Sequence, residues 1–107
     1  MAKGNKITKL KIGPNNYTVT PRPIPISEGD SGNVLGRVIY SDCKIIHADN
    51  MAEDATALTI LHESLHALLY HSGQFDQDER LVETLAGHLM RFIQDNPILI
   101  KRIQDLK

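Results

Sequence analysis

Apolar residues alternate with polar ones over roughly the first fifty positions of this chain, then recur at three- and four-residue steps. Ile7, Lys9 and Lys11 alternate with Thr8, Leu10 and Ile12, the period of a short half-buried strand. Gly13-Pro14-Asn15-Asn16 reads as a hairpin turn leading into a second β-branched run, Tyr17-Thr18-Val19-Thr20. From Pro21 to Gly32 a Pro/Gly/Ser-rich stretch lacks backbone donors at its prolines and reads as a loop. Two further strands are expected over Val34–Tyr40 and Lys44–Ala48, joined at Ser41-Asp42.

The helical period begins at Asn50, where Asn50-Met51-Ala52-Glu53 has the form of a capping box. Leu58, Leu61, Leu65 and Leu68 make an apolar stripe for a core-facing helix, and Ser72-Gly73 supplies a stop. A second helix opens at Asp76-Gln77-Asp78-Glu79 and carries Leu81, Val82, Leu85, Ala86, Leu89, Phe92 and Ile93. Asn96-Pro97 ends it and starts a third, since proline suits a first helical position. The third helix has an apolar face of Ile98, Leu99, Ile103 and Leu106. The expected architecture is α+β: a small N-terminal antiparallel sheet followed by three helices.

The length, 107 residues, fits one domain spanning 1–107, with residues 1–6 as a flexible tail. No apolar run approaches the roughly 18 to 20 residues of a membrane span. No apolar segment follows Met1-Ala2-Lys3-Gly4-Asn5-Lys6, so a secretory signal is not expected. The single cysteine, Cys43, fits a reducing compartment, and a cytoplasmic location is the expectation. Net charge is −1 but uneven: residues 1–27 sum to +5, 28–63 to −5 and the remainder to −1. The basic N-terminus lacks a nucleic-acid signature, with Tyr17 its lone aromatic, and reads as a solvated tail.

Within the first helix stands His62-Glu63-Ser64-Leu65-His66, an H-E-x-x-H motif. Residues four apart share a helical face, so both imidazoles can reach one metal ion. Glu63 is offset by about 100° from His62, which places its carboxylate beside the metal as a candidate general base. Imidazole donors joined by a carboxylate suit Zn2+, with nickel, cobalt or copper as competitors in vitro.

A catalytic zinc takes three protein ligands, and the second helix offers Glu79 and Glu83 for the third. Glu79 has a competing task as the partner of Asp76 in an Asp-x-x-Glu capping box. Glu83 lies a turn deeper, in Leu81-Val82-Glu83-Thr84-Leu85-Ala86, where an unpaired carboxylate is costly to bury. Glu83 is therefore the expected ligand. His88 faces a different side of that helix, His71 sits where a helix dipole favours a cation, and His47 is positioned to line a cleft. Cys43 has no zinc-finger spacing around it and reads as a small core residue.

The run Thr59-Ile60-Leu61-His62-Glu63-Ser64-Leu65-His66-Ala67-Leu68 resembles the active helix of small zincin-type metallopeptidases, notably the ImmA/IrrE-like proteins and compact phage-associated relatives. Glu83-Thr84-Leu85-Ala86 is similar to the segment by which that group supplies a glutamate ligand three residues before an alanine. The chain then departs from the group, reading Ala86-Gly87-His88-Leu89 in place of Ala-Asn-Phe-Ala, which favours the phage-type relatives, whose tails run into an Asn-Pro such as Asn96-Pro97. The resemblance covers residues 45–97. It implies a zincin-like fold, zinc held by His62, His66 and Glu83, and Glu63 as general base in peptide hydrolysis. The partner it implies is a protein or peptide substrate, added as an extended strand beside the Lys44–Ala48 segment. Two other functions compete with hydrolysis. One is a zinc-stabilised interaction module without turnover; the other is a DNA-associated regulator using the basic N-terminus.

Overall fold

The structure is a computed structural model that describes residues 6–23, 31–33 and 35–106. Five strands, β1 (Lys9–Ile12), β2 (Asn15–Arg22), β3 (Ser31–Asn33), β4 (Gly36–Ile39) and β5 (Lys44–Ala48), precede three helices. These are α1 (Glu53–His71), α2 (Glu79–Asp95) and α3 (Pro97–Asp105). The expected Val34 start of the fourth strand, residues 1–5 of the tail and 24–30 of the loop lie outside the described residues.

The strands form one sheet in the order β1-β2-β5-β4-β3. The expectation of an antiparallel sheet holds for β1–β2, β4–β5 and β3–β4, but β2 and β5 run parallel, with Val19 opposite Ile45. Alternation reveals which residues share a face and is silent on strand direction. A tight hairpin can join only antiparallel neighbours. β2 and β5 are separated by the β3–β4 hairpin, long enough for a parallel return. The Pro/Gly/Ser stretch is less of a loop than its composition suggests, because Pro21 and Arg22 complete β2 and Ser31–Asn33 forms β3. Proline is tolerated at position 21 because that side of β2 has run past the end of β1, whose last exchange there is Val19 N–H to Thr8 O, 2.9 Å. The β1–β2 turn is only Gly13-Pro14, with Gly13 at φ +59° as a primed hairpin turn demands.

α1 is sandwiched, and that explains its burial. One flank, Ile60 and Ala67, packs on Ile12, Tyr17, Val19, Val38 and Ile45 of the sheet. The other meets α2 through Leu65, Val82 and Ala86. All six residues from His62 to Ala67 are consequently buried, which a helix with a single core-facing stripe does not permit. The leucine stripe expected to face the core therefore divides: Leu65 is buried, whereas Leu58 and Leu68 are 36% and 44% exposed. The expected Asn50 cap does not form either. α1 starts at Glu53 with Ala52 at the cap position, and its first turn is closed by Thr56, whose amide and hydroxyl both donate to Ala52 O at 2.9 Å. α3 carries no buried residue and touches α2.

The close approach of α1 to β4 depends on Gly36. A methyl group on its Cα would collide with Thr59 Cγ2 and lie 3.5 Å from Glu63 Cγ and Oε2. Glycine lets the helix settle onto the strand at the level of Glu63.

Candidate metal centre

His62 and His66 project from the buried middle of α1, with their Nε2 atoms 3.2 Å apart. The carboxylate that meets them is Glu79, the first residue of α2: Oε2 is 2.8 Å from His62 Nε2 and Oε1 is 2.7 Å from His66 Nε2. One carboxylate thus spans both imidazoles. The three residues can each offer a ligand atom with all of these within 4.8 Å of one another. Glu83, the expected third ligand, is exposed on α2 and does not join this group.

The reason lies in the register of α2. Its cap is Asp78, whose Oδ1 accepts from the amides of Arg80 and Leu81 at 3.0 and 3.3 Å. Asp76 lies outside the helix, so Glu79 is released from the capping-box task assigned to it and occupies the first helical position. From there Glu79, Val82, Ala86 and Leu89 follow one another at three- and four-residue steps along the side facing α1. Glu83 is rotated about 100° from Val82 and faces water. A carboxylate at the end of the stripe keeps half of its side chain exposed, which avoids the cost of full burial.

Glu63 presents a different environment. It is 1% exposed, and Oε1 is buried with no hydrogen-bond partner among the described residues. Burial raises its carboxyl from the ordinary 4.5 to about 8; the negative charge of Glu79 pushes in the same direction and Arg37 opposes it. An orphaned buried carboxylate oxygen costs about 1–3 kcal/mol or more and calls for an explanation.

Sequence reasoning missed Gln77. Its Oε1 contacts His66 Nδ1, and its Nε2 donates to His66 O at 3.2 Å and Gln74 O at 2.9 Å. No spacing rule finds such a residue, because it lies in the loop between α1 and α2. His47 lies on the helix-facing side of β5, in register with Gly36, and its Nδ1 donates to Ala48 O at 2.8 Å. It is not a member of the metal-type group. His71 at the end of α1 bonds the Tyr17 hydroxyl at 2.6 Å. His88 is exposed on α2 and outside the group. Cys43 turns the chain between β4 and β5 at φ +51° and packs against the sheet core.

β5 is the middle strand of the sheet, bonded to β2 on one side and β4 on the other. It therefore has no free edge to receive an extended substrate, contrary to expectation; the edges are β1 and β3.

The donor set has the chemistry of a divalent-cation site. Tetrahedral ligands at about 2.0–2.1 Å from zinc stand about 3.4 Å from one another. The 3.2 Å between the two imidazole nitrogens is close to that spacing, whereas the carboxylate contacts of 2.7 and 2.8 Å are ion-pair distances. Two imidazoles and a carboxylate make three candidate ligands of the kinds that bind zinc. No protein family matches this chain, and comparisons with curated proteins and with solved structures found no match. No described helix is long and apolar enough to cross a membrane.

Proposed function

We propose that this chain is a zinc-dependent metallopeptidase of the zincin type, of the compact phage-associated kind, with His62, His66 and Glu79 as metal ligands and Glu63 as general base. The observation that carries the reading is the bridging of both H-E-x-x-H imidazoles by one carboxylate from the next helix, beside a buried glutamate whose Oε1 has no partner among the described residues. When bound, zinc supplies Lewis acidity and lowers the pKa of a water toward about 7.

The chain's own residues account for the rest. Glu79 balances the charge of the site and meets both imidazoles, one with each oxygen. Glu63 accepts a proton from the attacking water at Oε1 and returns it to the departing amide nitrogen. Its buried position, with Oε1 free of any hydrogen-bond partner among the described residues, leaves that oxygen available for the role. The packing of Gly36 against Glu63 fixes that side chain from the β4 side. The substrate class is a protein or peptide.

Zinc content and hydrolysis together test the proposal. Native protein should carry one zinc by mass spectrometry and generate new N-termini in a mixture of denatured proteins. Glu63→Gln should keep the zinc and stop cleavage. Zinc retained with cleavage absent from wild type and variant alike would instead support the non-hydrolytic module. An absence of zinc from a wild type that has been offered the metal would refute the site.

A further inference from the structure

His66 is held on both sides, and the second side lies outside the ligand set. The orientation of the Gln77 amide is settled by its own partners. Nε2 lies 3.2 Å from His66 O and 2.9 Å from Gln74 O, and both are carbonyl oxygens that only accept. The NH2 end must therefore face them, which turns Oε1 toward His66 Nδ1. A carbonyl oxygen at that position requires a proton on Nδ1. That leaves Nε2, the atom that faces His62 and Glu79, as the nitrogen whose lone pair a metal would take in place of any proton shared with Glu79. The same amide that reads the imidazole also ties the start of the α1–α2 loop to its end.

From this we infer that Gln77 is a positioning residue for the metal site: it selects the Nδ1–H tautomer of His66 and fixes the ring plane, so that Nε2 is presented for coordination. The inference rests on the zinc reading above. It assigns Gln77 no contact with substrate or with the reacting atoms. Outer-shell partners of ligating histidines typically contribute about 10- to 100-fold in metal affinity, and Gln77 is the described residue placed to do so for His66. Its position in the loop explains a second feature of the fold. The segment between Gly73 and Asp78 must return closely enough for residue 77 to reach residue 66, and this also delivers Glu79 to the imidazoles.

The test compares zinc affinity, measured by competition with a chromophoric chelator, for wild type, Gln77→Leu and Gln77→Glu. Leucine removes every polar contact; it should weaken zinc binding about 10- to 100-fold. Glutamate keeps an acceptor for His66 Nδ1 but loses the donors to the two carbonyls, so it should bind zinc at least tenfold more tightly than the leucine variant. A role confined to tying the loop together predicts instead that glutamate is no better than leucine, because its carboxylate faces two carbonyl oxygens. That ranking, or an unchanged affinity in Gln77→Leu, overturns the inference. If Gln77→Leu does not fold, nitrogen-15 NMR of zinc-loaded wild type decides. Nδ1 of His66 should carry a proton and Nε2 the metal, and coordination through Nδ1 overturns the assignment. Failure of wild type itself to bind zinc sinks the zinc reading, whereas tight wild-type binding with an indifferent Gln77→Leu sinks only the role of Gln77.

Discussion

Replacing Glu79 by glutamine preserves the shape of the side chain and removes its charge, and the structure fixes what should follow. Its two oxygens stand 2.8 and 2.7 Å from His62 Nε2 and His66 Nε2, so the substitution acts on both imidazoles at once. If outer-shell partners contribute about 10- to 100-fold in metal affinity, an anionic donor in direct contact contributes at least the upper figure. A 100-fold loss is about 2.7 kcal/mol. The metal-free protein should change little, because a half-exposed carboxylate in an ion pair contributes about 1 kcal/mol or less. Zinc dependence therefore separates the two effects. With free zinc at a hundred times the wild-type Kd, binding stabilises the wild type by about 2.7 kcal/mol and the variant by about 0.4 kcal/mol. For a domain of this length each kcal/mol moves Tm by roughly 4–8 °C. Thermal scans in zinc and in chelator should accordingly differ by about 10–20 °C for wild type and by only about 2–3 °C for Glu79→Gln. Glu83→Gln is the control. It removes the other candidate carboxylate, which is exposed and outside the group, and should retain the full zinc-induced rise. A full rise in Glu79→Gln, or a lost rise in Glu83→Gln, would refute the geometry of the site.

Three more consequences are open to measurement. In the metal-free protein, Glu63 binds its proton more tightly when folded, its carboxyl being raised from 4.5 to about 8. Its contribution to stability is therefore complete below about pH 4.5 and lost as pH rises toward 8. The stability gained by Glu63→Gln over wild type, from urea unfolding in chelator, should grow by up to about 1.4 kcal/mol per pH unit across that window; a pH-independent difference would contradict the buried, charged-when-basic carboxylate. Gly36→Ala places a methyl against Thr59 and Glu63 and should destabilise the fold by about 1–3 kcal/mol, with an unchanged denaturant midpoint as the refuting result. Tyr17→Phe removes a hydroxyl bonded to His71 at 2.6 Å and should cost about 1 kcal/mol, whereas His71→Ala in the Tyr17→Phe background should then cost little more; additive losses would show that the two do not act through that bond.

What could be read from the sequence is what depends on local period. The α+β class, the alternation in β1 and β2, the three helices and the stop at Ser72-Gly73 all follow from spacing and turn residues. The pairing of His62 with His66 on one face likewise needs only the helical repeat. What escaped it depends on where elements meet. The direction of β5 beside β2 is set by the crossover through β3 and β4, and the two-sided burial of α1 by α2 closing over the face opposite the sheet. The third carboxylate illustrates the point most sharply. Both Glu79 and Glu83 lie on α2, and the choice between them turned on whether Asp76 or Asp78 caps the helix, a difference of two residues that moves Glu79 from a capping role to the first position of the inward face. Gln77 is a loop residue with no periodic neighbour, so its contact with His66 emerges only when the chain folds back.

The central claim can be read directly from X-ray diffraction of zinc-loaded crystals, with data collected on both sides of the zinc absorption edge. The account predicts one anomalous peak at full occupancy, about 2.0–2.1 Å from His62 Nε2, His66 Nε2 and an oxygen of Glu79. A peak bound through Glu83, or an anomalous map with no density between the two imidazoles, would contradict it.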